Sequence, residues 1–184
     1  MVKQKHKSGF SIIELLVVIA IISLLIGILL PSLAKIKSVG KRTVCLANLR
    51  SAAVAFRMYL DENKDYMPPA AAYPSMNLNT DKPVAEYLKP FISAPKTLLC
   101  PADNGHKRNN YTERYYETEG SSYEYNVYLG GKRASKSLFT TDLGFAESEV
   151  HVLYDYDNFH GKKLRKGSIN YLYADGHVGD RTGN

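Results

Sequence analysis

The chain has 184 residues, 45% hydrophobic and 23% charged, with a formal net charge of +6, which suits one membrane span and one modest domain. Lys3, Lys5 and Lys7 supply half of that surplus; residues 10–184 carry 21 basic and 18 acidic side chains (24 − 3 against 18), too even a balance for nucleic-acid binding. Two cysteines without a CxxC pair argue against a structural zinc site.

In chain order, the lysine-bearing start is followed by Phe10 to Leu30, whose 21 residues contain one charge, Glu14. About 20 apolar residues in a helix cross the ~30 Å hydrocarbon layer of a bilayer. An acid inside such a span costs up to about 3 kcal/mol at its centre and less near an end, so it marks a functional site that needs a partner. The preceding lysines predict a cytoplasmic N-terminus. An ordinary secretory signal puts small residues after its apolar core. Here the core ends Ile28-Leu29-Leu30-Pro31, and the small residue, Gly9, stands in front of it. A cut between Gly9 and Phe10 leaves the whole apolar segment on the mature chain.

This combination of a lysine-rich leader, Gly9, Phe10, Ser11, Glu14 and an unbroken aliphatic run resembles the class III signal of type IV prepilins and type II secretion pseudopilins. The resemblance implies that a prepilin peptidase cuts after Gly9 and methylates the new amine of Phe10. It also implies that Glu14 meets the amine of a neighbouring subunit during assembly. The physics agrees: the freed amine has a pKa of about 7.7–8 and lies one helical turn from Glu14. In low dielectric the two charges attract far more than in water, although desolvation offsets much of the gain. Such a match would set axial register, as a polar residue does in a coiled-coil seam. The competing interpretation is a simple single-span anchor carrying an incidental glutamate.

Beyond the span, Pro31 predicts a kink near residues 27–31. From Cys45 to Leu60 the residues Leu49, Ala52, Ala53, Phe56 and Leu60 fall at helical spacing and form one apolar face for a sheet. Asp61, Asn63 and Asp65, then Pro68-Pro69, stop the helix. The acidic run lacks the glycine and closing glutamate of a calcium loop and reads as a solvated helix end. Seven prolines between Pro68 and Pro101 predict loops, interrupted by a short helix over Pro83–Phe91. Residues 103–120 are strongly polar and are expected to be an exposed loop. Strands are predicted over Ser122–Leu129, Glu149–Tyr154 and Ile169–Ala174, with Asp175-Gly176 as a hairpin turn before His177-Val178. Cys45 and Cys100 lie outside the cytoplasm in this orientation, which permits a disulfide worth about 4 kcal/mol or leaves two free thiols.

The C-terminal run from Asp155 to His160, followed by Asn170 to Val178, resembles a subgroup of large pilin-like proteins that end in a histidine, a spacer and Asp-Gly. The 14 residues between His160 and Asp175 exceed that subgroup's usual spacer. Asp155, Asp157, His160 and Asp175 are candidate metal ligands, the oxygen donors suiting calcium and the histidine suiting zinc. The alternative is turn chemistry with a structural histidine. No GxSxG, HExxH, phosphate loop or dinucleotide fingerprint occurs, so no enzyme is expected.

The resulting expectation is an α+β chain: a leader over 1–9, a long helix over 10–62 with its transmembrane part at 10–30, and an extracytoplasmic head over 63–184. A long transmembrane helix packed on a small antiparallel sheet is the lollipop that the resemblance implies. Its function would be structural: a methylated, single-pass subunit of the inner membrane, polymerising with like or unlike pilin subunits. The product would be a type II secretion pseudopilus or a type IV pilus-like filament. The single small head favours the pseudopilus. The expected partners are the peptidase, other subunits and membrane lipid, with no nucleic acid bound directly. A membrane-tethered extracytoplasmic binding protein or enzyme is the alternative.

Overall fold

The structure is a computed structural model that describes residues 11–76, 82–108, 111–134, 141, 144–163 and 165–180. Helix α1 (Ile12–Glu62) passes Pro31 and Gly40 without interruption. It is followed by α2 (Val84–Leu88), β1 (His106–Arg108), β2 (Tyr111–Glu113), α3 (Tyr115–Glu119), β3 (Tyr123–Tyr125), β4 (His151–Asp155), β5 (Tyr171–Tyr173) and β6 (Val178–Gly179). The fold is α+β, as the sequence predicts. Two compact units divide the chain, the first closing at Ser38 and the second opening at Val39.

In the first unit the large aliphatic side chains of the described residues are all exposed, from Ile12 at 85% to Val18 at 46%. The stretch is long and apolar enough to cross a membrane, and none of its most apolar window is buried by the described residues. A helix apolar all round, with nothing covering it, belongs in lipid or against other helices.

The second unit is built on one face of α1. Cys45, Leu49, Ala52, Ala55, Phe56, Tyr59 and Leu60 are buried there. Ala53, expected on this face, is half-buried. The small side chains let the sheet approach, and Phe56 stacks on Tyr125 at 6.1 Å. Tyr59 meets Tyr87 and Phe91 edge-on, which docks α2, itself anchored by buried Val84 and Leu88.

The four-stranded antiparallel sheet has the order β3-β4-β5-β6. Tyr123 faces Asp155, Leu153 faces Leu172, and Leu172 faces Val178. Register shifts between His151 and Leu153, where β4 advances two residues against one on β5. That bulge places Val152 and Leu153 both in the core, which strict alternation forbids.

Two expectations need correction. The strand over Ser122–Leu129 ends at Tyr125, and Val127–Leu129 forms a 3-10 turn capped by the Asn126 side chain. Residues 103–120 are not a plain exposed loop, because they contain the β1–β2 hairpin and α3. The organiser is Asp103, only 3% exposed. Its carboxylate accepts the N–H groups of Gly105 and Tyr116 and the hydroxyl of Ser122 at 2.8–3.1 Å. Gly105 has φ +76°, and a Cβ there would collide with the Glu113 carbonyl. Only glycine closes this hairpin.

Candidate functional site

Glu14 lies in the first turn of α1. Its Oε2 accepts the Ser11 N–H at 2.9 Å, while the Ser11 hydroxyl accepts the Ile13 N–H at 3.3 Å. The two side chains therefore satisfy donors that a helix start leaves open. The acid is exposed, as are the apolar residues that follow it. Gly9 and Phe10, the expected processing pair, lie outside the described residues.

A second constellation lies inside the folded unit. Cys45, on α1, is joined to Cys100 by a disulfide. Both are fully buried, and the His160 Nε2 lies 3.4 Å from the Cys100 sulfur. The same nitrogen is 3.5 Å from Oδ2 of Asp155, at the end of β4, and both side chains are at most 1% exposed. Oδ2 also accepts the Asn170 N–H at 2.7 Å. Asn170 in turn accepts from the Arg42 Nε at 3.1 Å, and Arg42 pairs with Asp180. Burial pushes the Asp155 carboxyl up to about 8, against the opposing pull of the Asn170 N–H bond and of Arg42. Burial also pushes the His160 imidazole down to about 4, helped by the charges of Arg42 and Lys41. Asp155 Oδ1, His160 Nδ1 and Asn170 Nδ2 have no hydrogen-bond partner among the described residues.

Residues 4–30 match the family model for the prokaryotic N-terminal methylation motif. The chain is also 37% identical over 96 residues to the type IV wide pilus major component PilA4 of Thermus thermophilus. That match covers 52% of this chain and 72% of the relative. The chain belongs to the type IV pilin and pseudopilin superfamily. No solved structure matches it.

For this pilin-family chain, the matched signal and the apolar helix describe a membrane-anchored protein. The four candidate metal ligands do not converge. Asp175 sits in the β5–β6 turn and bonds its near neighbour His177, at 2.6 Å to Nδ1 and 3.0 Å to the N–H. Slight burial raises the Asp175 carboxyl, but the His177 contacts outweigh this and hold it below its ordinary range. Asp157 bonds the N–H and side chain of Asn158 on the surface. Asp155 and His160 are brought together, with the two sulfurs as neighbours instead of the other acids. Among the described residues, the three-ligand group whose donor atoms all lie within 4.8 Å of one another is Cys45, Cys100 and His160.

Sequence reasoning missed Arg42, Asp103, Asn170 and Asp180. Asp103 left one trace: an aspartate two residues before a glycine, a common turn pattern. Arg42 and Asp180 are 138 residues apart, and no local pattern joins them.

Proposed function

We propose that this chain is a structural subunit, cut between Gly9 and Phe10, methylated on Phe10, and polymerised through α1 into a type IV pilus-like filament. One observation carries the reading: a lone carboxylate opens α1, and no described residue covers the aliphatic surface from Ile12 to Val39 that follows it. Packing the helices of neighbouring subunits removes that surface from lipid and water alike. Glu14, one turn from the new amine, supplies a charge to be matched and so a register. The similarity to a wide pilus major component supports a pilus rather than the secretion pseudopilus that the small head favoured. The N-terminus lies in the cytoplasm before cutting, and the unit from Val39 onward faces outward. Its partners are the prepilin peptidase and further pilin subunits, and its work is mechanical rather than catalytic.

The test has two parts. Mass spectrometry of native membrane material should give a chain beginning at methylated Phe10. Glu14→Ala should leave membrane insertion intact and reduce sedimentable filament at least tenfold. Native chains retaining Met1, or normal filament yield from Glu14→Ala, would overturn the reading.

A further inference from the structure

The buried imidazole of His160 is poorly accounted for by the disulfide beside it. Its contacts to the Cys100 sulfur and Asp155 Oδ2 are 3.4 and 3.5 Å. An N–H···O bond is ordinarily 2.7–3.2 Å, so the second is too long to repay desolvation. Among the described residues, Asp155 Oδ1 has no partner in the same interior. Yet Cys45, Cys100 and His160 hold their donor atoms within 4.8 Å of one another, on three separate segments of the fold. Two sulfurs, an imidazole nitrogen and a carboxylate oxygen make a donor set for zinc rather than calcium.

Two of the spacings fit as well. Zinc bond lengths of about 2.3 Å to sulfur and about 2.0–2.1 Å to nitrogen and oxygen give tetrahedral edges of roughly 3.6 Å for N···S and roughly 3.4 Å for N···O. The observed edges are 3.4 Å from Nε2 to the Cys100 sulfur and 3.5 Å from Nε2 to Asp155 Oδ2. Without the S–S bond, the sulfurs are free to separate by side-chain rotation to an S···S edge of about 3.8 Å.

We propose that the dithiol form of this chain, the form in which it is synthesised, binds one zinc ion through Cys45, Cys100 and His160, with Asp155 as the fourth ligand. Binding releases two thiol protons and leaves two thiolates on the metal. Formation of the disulfide is the competing fate. A disulfide-bonded oxidant takes two electrons from the thiolates and departs as a dithiol after gaining two protons; the S–S bond forms and Zn2+ is released. The sequence argued against zinc because it offers only two cysteines. The fold supplies the remaining ligands from the end of β4 and the segment after it.

Full-length protein in detergent, reduced with a phosphine and exchanged into anaerobic buffer, is titrated with Co2+ as the optical probe. The expected result is a 1:1 complex with thiolate-to-cobalt charge-transfer absorption and tetrahedral visible bands, displaced by Zn2+ and absent from the disulfide form. Cys100→Ser should abolish the charge-transfer band, and His160→Ala should weaken binding at least tenfold. Near-UV circular dichroism follows folding throughout. Three results would each overturn the proposal: no band from a folded reduced chain, unchanged affinity in His160→Ala, or a reduced chain that loses its near-UV signal and does not recover it with Zn2+.

Discussion

Replacing Cys45 and Cys100 together by alanine is expected to destabilise the unit from Val39 onward by ~4 kcal/mol. The two cysteines are 55 residues apart. With a loop of about 56 residues, the chain-entropy relation gives roughly 14 cal/mol/K, or ~4 kcal/mol at 25 °C. Alanine is the right replacement, because both positions are at most 1% exposed and a serine hydroxyl would add its own burial penalty. For a domain of this size, 1 kcal/mol moves Tm by about 2–4 °C, so the double variant should melt roughly 8–16 °C lower. The assay is thermal unfolding of the full chain in detergent, read by near-UV circular dichroism, with a chelator present to exclude metal from the reduced controls. A loss below about 3 °C would refute the reasoning. It would mean that packing already restrains the segment between the cysteines in the unfolded ensemble, leaving the crosslink little entropy to remove.

Two further outcomes follow from the same core. Leu49, fully buried on α1, should cost about 2–5 kcal/mol when replaced by alanine, read as a shift in denaturant midpoint at unchanged slope; a shift under about 1 kcal/mol would show that α1 is not the face on which the core is built. In the disulfide-bonded protein, Asp155 has its folded pKa raised from 3.8 to about 8, so its contribution is complete below about pH 3.8 and is lost as pH rises through about 8. His160 is depressed from 6.5 to about 4, so its contribution is complete above about pH 6.5 and is lost as pH falls through about 4. The two slopes cancel between about pH 4 and 6.5, leaving a decline from about pH 6.5 to 8 in the denaturant midpoint, which Asp155→Asn should flatten; a midpoint that rises over that window would contradict the assignment.

The helix, the signal and the strand sequence are properties of local pattern. An aliphatic run with one acid is legible because lipid and water discriminate residue by residue, and Leu49, Ala52, Phe56 and Leu60 repeat at the pitch of a helix wherever it docks. The hairpin at Asp175-Gly176 was equally readable: Gly176 takes φ +88°, and Asp175 bonds the N–H two residues on. The segment over 103–120 was misread because its polar residues look solvated until Asp103 is seen collecting two backbone N–H groups and a hydroxyl in the interior.

What the tertiary structure decided is who meets whom across long intervals. Cys45 and Cys100 have the same sequence context whether joined or apart; the antiparallel sheet on α1 brings them together and adds His160 and Asp155. The same sheet separates Asp157 and Asp175 from that pair, because each satisfies its carboxylate with a near neighbour on the surface. Composition and periodicity report the preferences of single residues for solvent and backbone geometry. A buried site depends on distances between segments, and those exist only once the core has packed.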